Sequence, residues 1–467
     1  MNEAEIALTI DLTVFTLCAF FLLKLGRLTA MHPATTYLFF HLWVVTKRLA
    51  ELSLGSPLSA IFPHQPISLV EITRASLMFD AVLVVMTTAW IINSVVDLKH
   101  NGPLPAFGQE KPPNLSKSYV VGFAQLMIPL GFLTLLKSHG GGGGDSPWDK
   151  SSAGNFAGLY LPLSLMPFFY WYGPKKWVLA YAAAVVVFCE LLLGQTRWLL
   201  LLPTIFCCFA YLSRTGQKWP PRKVVIILVV MGIFWLPGKQ ISRIITSGGG
   251  IADVLAATTQ VWTVSSTQSN TADTQFLDMA AMTVSLLDAK GKFYYGEAVW
   301  PALTNFVPRP LWPEKPVAYQ WEYDISTKDR PMQTYGMTPS IMGAAYVDFG
   351  YAGIVIEPFL FALFTGWAYF KAFRSNYYTV ARFSYLVMAC TLFQPFRDGI
   401  YSFFICNFEW MSPMVIIVLL HLILPTRAPR LRPRYPKPVW LRPAGAESQA
   451  SLSRSQQQPS QQQPSQP

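Results

Sequence analysis

Apolar residues along this chain come in long unbroken runs, not in the two-residue alternation of strands or the narrow stripe of a surface helix. That pattern predicts helices that are apolar all round. The runs fall at about 5–25, 32–50, 69–96, 118–137, 154–172, 176–194, 197–212, 223–238, 351–371, 379–396 and 410–425. Each is close to the roughly 20 residues a helix needs to span the hydrocarbon. The chain is therefore expected to be an all-α polytopic membrane protein with about 11 crossings. Composition agrees, since 52% of the 467 residues are hydrophobic and only 13% are charged. The first residues, MNEAEIALTI, lack the basic region and the small-residue cleavage site of a signal peptide, so they are expected to begin the first helix.

Charge placed between the runs orients them. Lys24 and Arg27 follow the first run, Lys99 and Lys111 lie between the third and fourth, and Lys175 and Lys176 between the fifth and sixth. Arg214, Lys218, Arg222 and Lys223 crowd the seventh connection; Lys371, Arg374 and Arg382 sit in the ninth. All of these fall on one side, as does the Arg-rich stretch after Pro425, and the positive-inside rule makes that side cytoplasmic and the N-terminus external. Four parts follow: an N-terminal bundle, 1–237; a large external segment, 238–350; further membrane helices, 351–425; and a tail, 426–467. The tail's Ser/Gln/Pro repeats have nothing to bury and are expected to be disordered. The glycines 140–144 lack the Lys-Ser/Thr ending of a phosphate loop and read as a linker.

The six cysteines, Cys18, Cys189, Cys207, Cys208, Cys390 and Cys406, show no metal-binding or disulfide spacing, and they read as small buried side chains. The external segment, by contrast, carries folded signals. Phe276, Met279, Ala280, Val284 and Leu287 recur at helical spacing, which predicts an amphipathic helix over Thr274–Lys290 lying on the membrane or on the bundle. A Pro-stiffened stretch, NFVPRPLWPEKP, follows at 305–316. Farther on, Gly343, Gly350 and Gly353 are placed to let backbones approach closely. Arg48, Arg74, Arg197, Arg243, Arg309, Lys315 and Arg397 all fall near the outer ends of helices or in this segment. Arginine keeps its charge and offers a planar fork that fits phosphate oxygens, so several of them meeting there would suit a lipid-linked phosphate or pyrophosphate. Pairing with Asp80, Glu190 or Asp398, or snorkelling to headgroups, would also account for them. Trp300, Trp312 and Tyr346 fit either a sugar-covering loop or an interfacial aromatic belt.

The combination of FYYGEAVWPALTNFVPRPLWPEKP, TPS…G…Y…DFGYAG, QTRWLLLLP and RDGIYSF resembles the Wzy-type O-antigen and exopolysaccharide polymerases, the oligosaccharide repeat-unit polymerases of bacterial inner membranes. The likeness covers about Leu191 to Tyr401. It implies a GT-C-like helical glycosyltransferase that moves a growing glycan from undecaprenyl pyrophosphate to another lipid-linked repeat, with neither a nucleotide sugar nor a metal and no other cofactor. A chain-length regulator is an implied partner, and nucleic acid is not. On this resemblance the catalytic residues would be Arg197, Arg309, Arg397 and Asp348. Lys315, Trp312, Arg243 and Glu314 would bind substrate. Family members carry a carboxylate after the glycine that corresponds to Gly343, but this chain has Ala344 and Ala345, so the base stays open among Asp348, Glu314 and Glu297.

Other classes compete. An O-antigen ligase-like transferase would need a histidine in the large external segment, and all six histidines (His32, His41, His64, His100, His139 and His421) lie elsewhere. A nucleotide- or dolichol-type transferase would need an acidic pair in the first external loop, which residues 53–70 do not offer. A flippase or transporter also needs a basic cavity in a helical bundle, but no inverted repeat is visible. A membrane protease lacks both Gly-x-Ser-x-Gly and His-Glu-x-x-His.

Overall fold

The computed structural model describes residues 2–25, 28–56, 67–104, 161–187, 198–226, 276–297, 299–304, 311–316, 320–327, 338–374 and 380–407, with a few isolated positions. These residues are mostly helical, and no strand occurs among them. Three of the helices are long and apolar enough to cross a membrane: α1 (Glu3–Lys24), α4 (Leu69–Asn101) and α12 (Tyr351–Arg374). Apart from Ile128, Pro129 and Met411, the runs at 118–137 and 410–425 lie outside the described residues, as do residues 154–160, 188–197 and most of 223–238, the glycines 140–144 and the tail 426–467.

The starts of α1 and α4 are written in their sequences. Asn2 accepts the Glu5 N–H at 2.8 Å while the Glu5 carboxylate takes the Asn2 N–H at 3.0 Å. Ser68 and Glu71 repeat this reciprocal capping at the head of α4, which satisfies amide groups that the first turn leaves without partners. At its far end α4 carries Lys99 and His100 in the last turn and stops at Gly102, whose φ of 67° is in the left-handed region.

Between α1 and α4 lie α2 (Pro33–His41), a π-helical turn (Leu42–Thr46) and α3 (Lys47–Ser53). The expected second crossing at 32–50 is thus one helical path with a wide turn in its middle. The next described helices are α5 (Leu165–Tyr172), α6 (Lys176–Val187) and α7 (Trp198–Thr215). The polar segment contributes α8 (Phe276–Lys290), α9 (Val299–Leu303), α10 (Gln320–Ile325) and α11 (Ser340–Phe349). After α12 come α13 (Val380–Thr391) and α14 (Phe393–Asp398). The single run expected at 379–396 is interrupted at Leu392, because Pro395 has no N–H to give to the carbonyl four residues back.

Helix α4 is the axis of the fold, packing along α1, α12 and α8. Apolar surface gains little by leaving lipid for another helix, so small residues and polar bridges decide which faces meet. Trp90 donates its Nε1–H to Thr365 Oγ1 at 3.3 Å, and Asn93 donates to the Leu363 carbonyl at 2.8 Å. Opposite them is Gly366, where an added Cβ would come within 2.5 Å of the Asn93 amide nitrogen. The chain turns from α11 into α12 at Gly350, φ 60°, and a Cβ at Gly353 would lie 1.9 Å from the Ala345 carbonyl oxygen. Of the three glycines expected to allow close approach, Gly350 and Gly353 do so most tightly, a Cβ at Gly350 lying 2.9 Å from the Phe293 ring, whereas one at Gly343 would lie 3.2 Å from the Pro339 side chain. Basic connections meet at one end of the bundle: Arg374 grips Asp97 and the carbonyls of Asn101 and Gly102, Arg382 donates to the Ala372 carbonyl, and the Ala30 N–H bonds the Lys218 carbonyl.

Helix α8 takes the core position its apolar spacing implied, more fully enclosed than a helix lying along the bundle. It spans Phe276–Lys290 as the spacing implies, Phe276 to Val284 are all buried, and so are Leu286 and Leu287. The helix is enclosed by α4, α11, α10 and the π turn instead of lying on a surface. Its one acidic residue in that stretch, Asp278, is 0% exposed and is met by Arg48 in a bidentate pair, Nε to Oδ1 at 3.0 Å and Nη2 to Oδ2 at 2.8 Å. At the other end of α8, Asp288 receives Arg74 Nη1 at 2.5 Å and the Tyr346 hydroxyl at 2.5 Å. Two arginines of the N-terminal bundle therefore fasten the polar segment to it. The described cysteines are free thiols; Cys18 and Cys390 are buried as their positions in apolar runs imply, whereas Cys207, Cys208 and Cys406 are only partly buried, and Cys189 lies outside the described residues.

Candidate functional site

Where the polar segment meets the C-terminal helices, three charged side chains come together from distant parts of the sequence. Arg397 and Asp398 close α14, and Arg397 donates its Nε–H to Asp398 Oδ1 at 2.6 Å. The amide of Gln394, one turn earlier, donates to the other oxygen of Asp398. Glu322 reaches this pair from α10, which is short and anchored by the buried Trp321 and Ile325 four residues apart. That i, i+4 spacing puts both apolar side chains on one face. Glu322, next to Trp321, is left partly buried at the junction.

Burial and the nearby Asp398 carboxylate push the Glu322 carboxyl up to about 8. Withdrawing a carboxylate from water disfavours its charged form, and a second carboxylate adds like-charge repulsion. Glu322 therefore exchanges a proton close to neutral pH, the property wanted of a general acid or base. Arg397 keeps its charge and, while it holds Asp398, its side chain remains 29% exposed.

The backbone around the site is constrained. Gly399 has φ 97°, and an added Cβ there would lie 2.4 Å from the Ala344 methyl and 2.8 Å from the Tyr401 ring. The small residue at 344 is what this contact requires, so a carboxylate there would have to displace the turn after Asp398. Ser340, at the head of α11, is fully buried with φ 65°, and its Oγ accepts the Gly343 N–H at 3.2 Å. A left-handed non-glycine residue held in this way is the sort of backbone strain that concentrates at ligand sites.

The sequence-derived candidates are placed as follows. Arg197, Arg243 and Arg309 lie outside the described residues. Lys315 is half-buried and donates to the Val307 carbonyl at 3.2 Å, folding the proline-rich stretch back on itself; Trp312 is half-buried and Glu314 exposed beside it. Asp348 is 2% exposed and accepts the Gly296 N–H at 3.1 Å, while the backbone carbonyls of Val347 and Asp348 take the N–H groups of Tyr294 and Tyr295. Asp348 thus closes a turn between α8 and α9, with Glu357 of α12 beside it. Arg48 and Arg74 are engaged with Asp278 and Asp288. Asp398 is indeed paired with an arginine, but Asp80 faces His41 instead.

Glu322 escapes sequence reasoning because nothing local marks it: its pairing with Asp398 crosses 76 positions, and WEYD reads as an ordinary polar turn. A usable signal would have been Trp321 and Ile325, an apolar i, i+4 pair that sets the adjacent acid at a buried junction. No family model, curated protein or solved structure matches the chain.

Proposed function

We propose that this protein is a membrane glycosyltransferase that polymerises undecaprenyl-pyrophosphate-linked oligosaccharide repeats into a surface polysaccharide or exopolysaccharide. In this reading it is a multi-pass protein of a bacterial inner membrane and works at that membrane's outer face. Its N-terminus is external, its basic connections and tail are cytoplasmic, and a chain-length regulator is its natural partner. The observation that carries the proposal is the Arg397–Asp398–Glu322 cluster, which sets a partly exposed arginine–aspartate pair beside a carboxyl that titrates near neutral pH. The motif resemblance supports it independently, as does the enclosure of α8 and α11 by the membrane helices, which makes the polar segment part of the bundle and not a tether.

Transfer of a glycan from a pyrophosphate needs two things: charge to meet the departing phosphate and a base to take the proton of the acceptor hydroxyl. Arg397, with Arg197 and Arg309, supplies the first by charge-assisted, bidentate hydrogen bonds that strengthen as negative charge develops. Glu322 supplies the second, since its carboxyl, raised to about 8 by burial and by the charge of Asp398, takes up and gives back a proton close to neutral pH. Asp348, fixed to the Gly296 amide, serves to shape the turn leading into the proline-rich stretch, and Lys315, which donates to the Val307 carbonyl, and Trp312 are the side chains of that stretch proposed to contact sugar or phosphate.

The test is reconstitution in lipid with a synthetic undecaprenyl-pyrophosphate-linked repeat unit, with product length read on a gel for the wild type, Arg309→Ala and Glu322→Gln. A ladder of products that Arg309→Ala abolishes and Glu322→Gln slows is the expected result. A ladder that survives Arg309→Ala in a correctly inserted protein would refute the mechanism. No ladder, with labelled lipid-linked sugar moving between leaflets, would replace the polymerase with a flippase.

A further inference from the structure

A second buried polar cluster lies inside the N-terminal bundle, on the path of α2, which packs against α14 through Tyr37 and Phe396, ring centroids 4.9 Å apart. Asp11 of α1, His41 at the end of α2 and Asp80 of α4 are 0%, 0% and 5% exposed and converge on one point. His41 Nε2 is 2.7 Å from Asp11 Oδ1 and 3.5 Å from Asp80 Oδ1, and Thr46 Oγ1 donates to Asp11 Oδ2 at 2.6 Å. One donor atom from each of the three residues lies within 4.8 Å of the others. Asp11 is eight residues into its helix and Asp80 eleven, which puts them about 12 and 16 Å from the helix starts, well inside a hydrocarbon layer roughly 30 Å thick.

Charge does not balance there. Among the described residues the imidazole is the sole basic group that either aspartate meets; Arg48, on the same helical path, pairs with Asp278 and Glu51. Neither oxygen of Asp80 accepts a hydrogen bond, and His41 Nδ1 and the hydroxyl of Tyr37, 0% exposed and within electrostatic reach of both aspartates, are likewise without partners. Buried carboxylates are found either paired or coordinating a cation. Two of them with one neutral imidazole carry a charge of −2 and offer oxygen and nitrogen donors, the set taken by a divalent ion of the zinc or manganese type.

The helix is also broken to build this arrangement. His41 and Thr46 are five residues apart, which in an uninterrupted α-helix turns them roughly 140° away from each other. The π turn at Leu42–Thr46, in which the Lys47 N–H reaches back to the Leu42 carbonyl, brings both onto Asp11. Such wide turns are rare and occur mostly at functional positions. The geometry points to Asp11, His41 and Asp80 as a binding site for one divalent metal cation, with Thr46 orienting Asp11 from outside the coordination shell. The site clamps α1, α2 and α4 together. Arg48, two residues past Thr46, then carries that clamped geometry to α8.

The experiment uses full-length protein purified in mild detergent through a tag free of histidine, with metal content measured by mass spectrometry before and after chelation. About one zinc or manganese ion per chain is expected in the wild type and none in Asp80→Asn, which keeps the shape of the side chain. After chelation, adding back the metal should raise the melting temperature of the wild type by roughly 5 °C at saturating excess and leave Asp80→Asn unmoved. If Asp80→Asn does not fold, X-ray absorption at the wild-type metal edge decides instead, with a shell of one imidazole and carboxylate oxygens expected. Metal content at background with no response to add-back would overturn the proposal, since the cluster would then hold only protons. Equal metal in the wild type and Asp80→Asn, or a sulfur-containing shell, would overturn it by placing the ion elsewhere.

Discussion

Removing Arg48 tests how the polar segment is held. Arg48→Ala leaves Asp278 fully buried with no cation, and Arg48 is itself only 6% exposed. Deleting one partner of a buried bidentate pair costs about 3–5 kcal/mol, whereas replacing both partners with apolar side chains of similar volume is close to neutral. At about 2 °C of melting temperature per kcal/mol in a chain of this size, Arg48→Ala should lose roughly 6–10 °C. Arg48→Met combined with Asp278→Leu should recover most of that loss. pH provides an independent check. Burial already raises the Asp278 carboxyl above its ordinary value although Arg48 opposes the shift, and without Arg48 the rise is larger. A carboxyl raised in the folded state binds a proton that the unfolded chain releases, so the variant's stability falls as pH climbs from about 4 through the raised value. Its deficit against wild type should therefore shrink at pH 5 and widen at pH 8. The assay is tryptophan fluorescence on heating in detergent at one scan rate, since unfolding of such proteins is seldom reversible. A loss under 2 °C, or a double variant no better than Arg48→Ala, would refute the reasoning.

If Glu322 is the base, polymer formation by the wild type should rise with pH through about 8, and Glu322→Gln should be slow with that limb missing. The stability effect has the opposite sign, because ionising this raised carboxyl on the way to pH 9 destabilises the fold; Glu322→Gln should then melt above wild type, and equal melting curves at pH 9 would contradict its burial. Gly353→Ala puts a methyl 1.9 Å from the Ala345 carbonyl oxygen and should abolish recovery of folded protein, while Ala352→Ser, on the exposed face, should not; size-exclusion profiles compare the two. Arg374→Ala removes the links to Asp97, Asn101 and Gly102 and should lower thermal stability by about 1–3 kcal/mol, with Arg374→Lys between it and wild type because a lysine cannot span the same acceptors.

Where the chain announced its structure, it did so through properties that are local. The first, third and ninth apolar runs became α1, α4 and α12 within a few residues, since uninterrupted apolarity and the Asn2 and Ser68 caps are read within one or two turns. The helix over 276–290 was equally legible, but its enclosure was not. Asp278 marks a wet face by every local rule, and only Arg48, 230 positions earlier, makes its burial tolerable. The π turn in the second run is invisible for the same reason, because it exists to bring His41 and Thr46 to Asp11 on another helix. Of the site, Arg397 was visible as a charge at the end of an apolar run, whereas Glu322 becomes distinctive only beside Asp398.

The packing of α4 against α12 also sets a schedule for biogenesis. Residue 101 ends the first of these helices and residue 351 begins the second, so 250 residues must be synthesised before α4 meets its main partner. At 5–20 residues per second the ribosome needs roughly 12–50 s to supply them. For all of that time the indole of Trp90, the amide of Asn93 and the carboxylate of Asp97 are in the bilayer or at its edge without the Thr365, Leu363 and Arg374 groups that will satisfy them. A nascent helix in that condition needs a polar chaperoning surface, of the kind an insertase provides, until the ninth apolar run emerges. Truncation anywhere before residue 351 should leave α4 exposed to membrane quality control, however well its own sequence forms a helix.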